Sequence, residues 1–255
     1  MNEYFIIKTR VLIIGVKTLK INEKIFISFV ANLIMVVLVV MVSLVTVVPK
    51  SYIPSWAVAS ENVIYRGNTN NKNISLMFNV YWGSDEVEQI LDILTEKEVK
   101  ATFFLGGSWA DDNNDLILKI YEQGYEIGNH GYFHKDHTKI SKEKNIQEIS
   151  LTSELIEKIC GNKVTLFAPP SGAYNKAMVN VCNDLGYKVI MWSKDTIDWR
   201  DKDENLCYNR AIKNPANGDL ILMHPMVHTV KALPKIIDFY KQNGYNIVTV
   251  SENIA

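Results

Sequence analysis

Cysteine is scarce in this chain, and neither charge sign predominates. The three cysteines, Cys160, Cys182 and Cys207, are too few for a disulfide framework, and nothing near them has zinc-ligand spacing. Cys160 and Cys182 fall near the ends or on the apolar faces of predicted helices, which reads as buried thiols rather than a redox pair, although an exported position would permit one disulfide. With 27 basic and 28 acidic side chains the formal net charge is -1. There is thus no electrostatic footprint for nucleic acid and no acidic tail. No Gly-x-Gly-x-x-Gly follows a strand pattern, which removes the usual reason to expect a dinucleotide fold. A neutral small molecule, a glycan or a protein partner fits what is left.

One stretch lacks charge altogether. Residues 25–48 contain only Ser28, Asn32, Ser43 and Thr46 as clearly polar side chains, and a run of about 20 apolar residues can span a bilayer. A buried core helix rarely stays apolar all round for this length. Lys8, Arg10, Lys17, Lys20 and Lys24 precede it against Glu3 and Glu23, an excess of cations that belongs on the cytoplasmic side. The expectation is a cytoplasmic tail at 1–24, a single-pass transmembrane anchor at 25–48 and an extracytoplasmic C-terminal part. Ala57-Val58-Ala59 has a signal-peptidase pattern, but it lies well past an apolar run longer than a signal peptide needs. An uncleaved anchor is therefore expected.

Residues 49–72, with Pro49, Pro54 and the polar run Asn68 to Asn73, read as a linker. From 73 to 255 short β-type runs alternate with helical patterns. Strands are expected at Ile74–Val80, Ala101–Leu105, Tyr125–Asn129, Val164–Ala168, Lys188–Trp192, Leu220–His224 and Asn246–Val250. The first helix of this region is expected to start at Ser84 as N-cap, with Asp85 and Glu86 in its first turn. Later helices stop at Gly124, Gly186 and Gly244, each followed by Tyr or Tyr-led strand sequence. Seven strands separated by helices predict an α/β fold with one parallel sheet, open or closed into a barrel. In a barrel, polar residues at the C-terminal strand ends share one rim, where active sites of such folds sit.

Several polar clusters fall on that rim. The third strand runs into His130-Gly-Tyr-Phe-His134, and two imidazoles four apart can converge on one cation through neutral nitrogens. Taken alone, such a pair is more often simply exposed or hydrogen-bonded. The first strand ends at Asn79 and leads to Val80-Tyr81-Trp82; the fourth leads to Pro169-Pro170-Ser171-Gly172; the fifth to Asp195-Thr-Ile-Asp198-Trp199; the sixth ends at His224-Pro225. Three His, two Asp and several aromatics on one rim suit a sugar site, because rings cover apolar sugar faces while polar groups orient hydroxyls and amides. Each cluster alone also has a structural explanation as turn, cap or core.

In this order the clusters resemble the polysaccharide deacetylase family, which includes chitooligosaccharide and peptidoglycan N-deacetylases. The resemblance covers nearly all of 73–255, and membrane-anchored sporulation and cell-wall members share the layout. It implies a distorted (β/α) barrel of about seven parallel strands, here preceded by one transmembrane helix. It also implies a divalent metal, zinc or cobalt, held by an Asp and two His. By matching positions, His130 and His134 are the implied metal ligands, His224 the general acid and Asp195 its orienting partner. Tyr81, Trp82, Pro170, Ser171 and Trp199 are the expected substrate contacts. The implied reaction is hydrolysis of N-acetyl groups of a cell-wall glycan or chitin-like oligosaccharide, with peptidoglycan or an N-acetylglucosamine oligomer as partner.

The resemblance breaks at the first motif, where the family has two consecutive aspartates, a base and a metal ligand. This chain has Asn79 and Val80. An amide cannot take a proton from water at neutral pH, and an isopropyl group cannot bind a metal. The third motif also lacks its Arg, at Ala168, and an aromatic, at Ser171. Three expectations follow. Either the chain is a divergent deacetylase that recruits a substitute such as Asp85, Asp136, His137 or Asp195, or it is a degenerate, non-catalytic glycan binder. A membrane-bound scaffold without a ligand is the third alternative.

Overall fold

The computed structural model describes residues 23–47 and 63–255, with side chains of the first helix described for 28–40 only. They fall into two units divided after Pro54. In the first unit, α1 (Glu23–Val47) exposes every described side chain. The expected membrane span at 25–48 therefore lies partly outside the described residues. Among those described, no helix is long and apolar enough to cross a membrane.

The second unit alternates strand and helix. Its elements are β1 (Val63–Ile64), β2 (Asn73–Val80), α2 (Ser84–Glu96), β3 (Thr102–Leu105), α3 (Gly107–Asp112), α4 (Asn114–Glu122), β4 (Glu126–Asn129), α5 (Lys142–Cys160) and β5 (Leu166–Phe167). There follow α6 (Lys176–Asp184), β6 (Lys188–Ile190), β7 (Lys194–Asp195), α7 (Asp198–Asp201), α8 (Glu204–Ile212), β8 (Asp219–Met223), α9 (Val227–Gln242), β9 (Asn246–Ile247) and α10 (Val250–Asn253). All seven expected strands are present, five of them trimmed and β2 and β8 each starting one residue earlier. Two more, β1 and β7, are only two residues each, too short to leave a periodic signal. Because β1 pairs with β6, the sheet takes in residues 63–64 of the stretch expected to be linker. Ser84 is not the N-cap of α2. Gly83 holds that place at φ 79°, while the Ser84 hydroxyl bonds Asn113 at 2.7 Å.

Every named strand pair is parallel, in the order β1-β6-β5-β4-β3-β2-β8-β7 with β9 also on β2. The sheet curls until its ends approach. Met191 N–H donates to Ile64 O and Ser193 N–H to Leu220 O, so the chain leaving β6 crosses from one edge to the other, as in a distorted barrel. Both faces are buried, which is why β2 reads as an almost unbroken apolar run rather than an alternation. Ile74, Leu76, Phe78 and Val80 pack outward against the helices. Met77 packs inward with Phe104, Leu166 and Leu222. Gly124, Gly186 and Gly244 end their helices at φ 74°, 81° and 71°, as expected of left-handed caps. Cys160, Cys182 and Cys207 are free, the latter two buried.

The curl is tied at its open side by Asp219, fully buried at the start of β8. Its carboxylate accepts from Arg66 beyond β1, Ser193 Oγ at 2.8 Å and Ala216 N–H at 2.9 Å, with Lys194 Nζ of β7 at 3.5 Å. Removing one partner of such a buried pair strands the other charge. Asp219→Ala is expected to lower stability by about 3–5 kcal/mol in denaturant unfolding, and a loss under about 1 kcal/mol would show that the curl is held by packing alone.

Candidate active site

Parallel polarity carries the C-terminal ends of the strands to one rim, and an open pocket of about 310 Å³ lies there. Asn79, Trp82, His130, His134, Asp195 and His224 line it, with Ser171, Gly172, Trp192, Trp199 and Leu222. Eight of the ten site residues expected from sequence are thus brought together. Tyr81 and Pro170 are not pocket residues. The Tyr81 hydroxyl accepts from Ser108 Oγ at 2.7 Å and donates to Tyr132 O at 3.3 Å, while its ring supports His134 at 5.1 Å between centroids. Pro170 is buried in the turn that delivers Ser171.

The two imidazoles of the His-x-x-x-His segment face one another at 5.1 Å between ring centroids and 70° between planes. His130 follows β4 and is buried. Its Nδ1 lies 2.7 Å from Ala168 O, a carbonyl that can only accept, so the proton sits on Nδ1 and the lone pair on Nε2. Burial, reinforced by the neighbouring His134, pushes its pKa down to about 3. His134 is half-buried and is also lowered by burial. Both rings are therefore neutral donors of a lone pair near neutral pH.

The loop between them has an unusual backbone: Gly131 at φ 74° and His134 at φ 52°. A Cβ on Gly131 would stand 2.9 Å from His137 Nε2, so only glycine fits. Two buried polar side chains hold the loop. Asn129 accepts from Gly131 N–H at 2.8 Å and donates to Ile149 O and Ser153 Oγ on α5. Glu148 of α5, 1% exposed, accepts from Tyr132 N–H at 3.1 Å and Phe133 N–H at 2.7 Å. Glu148 left no sequence signal, because its position on α5 is ordinary and only the fold brings it under the loop.

Across the pocket, His224 is oriented by Asp198 and not by Asp195, which corrects the sequence expectation. His224 Nδ1 donates to Asp198 Oδ1 at 2.8 Å and its backbone N–H to Oδ2 at 2.7 Å. Thr229 Oγ1 donates to the same Oδ2 at 2.7 Å. Burial works to raise the Asp198 carboxyl, but the hydrogen bonds and charge of His224 outweigh it and hold it below the usual carboxylate range. A left-handed turn at Ile197, φ 51°, swings Asp198 beneath β8, while Asp195 folds its own Oδ1 onto Ile197 N–H at 2.8 Å. Both aspartates lie in one short motif, so spacing alone did not distinguish them. The Trp82 ring lies parallel to His224, 4° between planes at 5.9 Å.

Of the proposed substitutes for the missing aspartates, only Asp195 lines the pocket, and burial raises its carboxyl. Asp136 is turned to Thr138 and Lys139. His137 is buried against Phe167 with Nδ1 2.6 Å from Asn145 Oδ1. Asp85 lies in a separate acidic cleft with Glu88, Asp112 and Asp115. Val80 is fully buried in the outer, helix-facing core. No group of three His, Cys, Asp or Glu that could hold a metal ion is found among the described residues.

Comparison with known proteins agrees with this geometry. Residues 66–190 match the family model described as polysaccharide deacetylase. The chain is 39% identical over 189 residues to YlxY of Bacillus subtilis, covering 74% of this chain and 59% of that protein. It is 33% identical to a peptidoglycan-N-acetylglucosamine deacetylase of Bacillus cereus, covering 72% of this chain and 88% of that enzyme. Among solved structures, a CE4 family pseudoenzyme from Bacillus anthracis superposes with a TM-score of 0.74 at 35% identity, over 77% of this chain and 70% of that one. A mutant of that pseudoenzyme is described as having restored enzymatic activity.

The Glu148 anchor has a measurable consequence. In Glu148→Ala, hydrogen exchange of the Tyr132 and Phe133 amides is expected to speed up by about tenfold or more, since bonds to a charged acceptor are worth about 1.5–3 kcal/mol. Unchanged exchange at these two amides, with the fold intact, would mean the loop holds its shape without Glu148.

Proposed function

Because the chain belongs to the polysaccharide deacetylase family, we propose that its rim pocket acts on the N-acetyl groups of a cell-wall glycan of the peptidoglycan type and removes them by hydrolysis. The observation that carries this is the His224–Asp198 pair facing neutral His130 and His134 across one pocket. Trp82 and Trp199, 41% and 49% exposed, flank the opening and offer flat faces to sugar rings. An acetamide placed between them lies within the polar part of the pocket.

Breaking the C–N bond requires a proton on the departing nitrogen. His224 can deliver it from Nε2, because Asp198 holds Nδ1–H and stabilises the charged ring. Asn79 cannot take the proton of the attacking water. Asp195 is the one carboxylate lining the pocket, and its upward shift by burial moves it toward the range of a general base. The donor set fits a divalent cation at His130 and His134 and fails it at Val80, which contributes no donor and faces the outer core. Zinc and cobalt both accept imidazole nitrogen. When bound, such an ion supplies Lewis acidity toward the acetamide carbonyl; two ligands in place of three imply weak retention.

The Asn79–Val80 pair favours a second reading, in which the pocket holds glycan without cutting it. The similarity to a pseudoenzyme supports that reading, and a missing base accounts for about 10²- to 10⁴-fold in rate. For either reading we place residues 63–255 outside a membrane anchored by 25–48. The support is the uncharged run in that segment and the cations before it, and it carries over the sporulation and cell-wall setting that the layout suggests.

Acetate release from N-acetylglucosamine oligomers and from peptidoglycan, with and without added zinc or cobalt, tests the proposal. Metal-dependent release that disappears in His224→Ala, and rises about 10²- to 10⁴-fold in Asn79→Asp, is the expected result. Glycan binding with no release would leave the second reading, and neither binding nor release would contradict both.

A further inference from the structure

Parallel strands deliver the residues after their C-terminal ends to the rim, and for β1 the first of these is Tyr65. Ile64 pairs with Ile190 of β6, and Met191 N–H donates to Ile64 O at 2.8 Å. Tyr65 therefore emerges beside the segment that leads to Trp192, a pocket residue. It is 44% exposed, and its hydroxyl lies 2.7 Å from the hydroxyl of Tyr174, which arrives from the end of β5. Tyr174 is two residues past Gly172, another pocket residue, and two residues span at most about 7 Å. The segment that carries it is fixed on both sides. Ala173 N–H donates to Pro170 O at 3.0 Å, and Asn175 caps α6 by accepting from Met178 N–H at 2.9 Å. The Trp192 indole stands so close to Gly172 that a Cβ there would meet it at 2.6 Å. Trp192 and Tyr174 both pack on the cluster that holds Val189 and Met191. Aromatic side chains from the ends of β1, β5 and β6 thus continue the pocket wall outward, with β4 and β3 between them and β2, which carries Trp82.

We propose that Tyr65 and Tyr174 form a second sugar subsite, which carries a further pyranose ring of the glycan chain whose N-acetyl group enters the pocket. This rests on the glycan reading of the site and deepens it, because a site with such an extension selects chains over single sugars. In the hydroxyl pair one O–H donates to the other, which leaves one O–H and the remaining lone pairs free for a ligand. Burial, followed by the bond to Tyr174, pushes the Tyr65 hydroxyl up to about 12, so it keeps its proton near neutral pH. An exposed ring with a hydroxyl that both donates and accepts matches a pyranose, which has an apolar C–H face and hydroxyls at its edge. The two tyrosines also hold each other in place before any ligand arrives, so less side-chain freedom is lost on binding. A single sugar seated with its acetamide in the pocket leaves the pair untouched.

The experiment is NMR titration of the purified full chain, in excess chelator to suppress turnover, with two ligands. One is the β-1,4-linked N-acetylglucosamine tetramer, the other the β-methyl glycoside of N-acetylglucosamine. The wild type is expected to bind the tetramer about tenfold or more tightly than the single sugar. Tyr65→Ala and Tyr174→Ala are each expected to weaken the tetramer by about tenfold and to leave the single sugar within about twofold. Tyr65→Phe keeps the ring and gives up the hydroxyl, and is expected to weaken the tetramer alone by about threefold; it guards against a result caused by a poorly folded alanine variant. Equal affinities in the wild type, or tetramer binding unchanged in both alanine variants, would overturn the inference while leaving glycan binding in place. Weakening of both ligands alike would also overturn it, since the pair would then only staple the rim. Failure of both ligands to bind the wild type would instead overturn the glycan reading on which it rests.

Discussion

All paired strands of the sheet run in the same direction, and every functional feature of the molecule depends on that polarity. Parallel pairing requires a crossover between neighbours, which supplies the helices outside; it also sends each C-terminal strand end to the same rim. Residues far apart in sequence, Asn79, His130, Asp195 and His224, meet there for no other reason. The buried Asp219, bonded from both edges of the curl, keeps the two ends of the sheet near each other.

Around the rim the chain treats its polar groups unequally. Asp198 is fully satisfied beneath His224, with four donors on one carboxylate. The His130 to His134 loop is as well supported, through Asn129 and Glu148. Asn79 stands apart as the pocket's unpaired buried atom, and Val80 has turned away into apolar packing. Thus the His224 side of the site is built to a finished state, while the Asn79–Val80 side presents an amide and a side chain packed into the outer core. Slow hydrolysis, or glycan binding without cleavage, is what such an asymmetry would produce under the proposed function.

Much of this was legible in the sequence where periodicity or local chemistry spoke. Seven strands were visible because each is a short apolar run bounded by helix stops, and the glycines at 124, 186 and 244 announced those stops through the left-handed caps they adopt. The strands β1 and β7 were not legible, since neither lies in an apolar run bounded by helix stops and their pairing is wholly long-range. The rim residues were visible as polar breaks at strand ends. Which of two neighbouring aspartates serves His224 was not, because the answer depends on a left-handed turn at Ile197 that a β-branched residue does not advertise. Glu148 was invisible for a similar reason: its task is defined by a loop that lies against it only in the folded chain.

In the proposed function the rim pocket receives an N-acetylated sugar between Trp82 and Trp199, with the acetyl group inward. Saturation-transfer difference NMR on the N-acetylglucosamine tetramer, with the metal-free full chain, tests it most directly. The strongest saturation should fall on acetyl methyl protons and should vanish in Trp199→Ala and Trp82→Ala. Saturation spread evenly over the sugar, or unchanged in both variants, would contradict the claim.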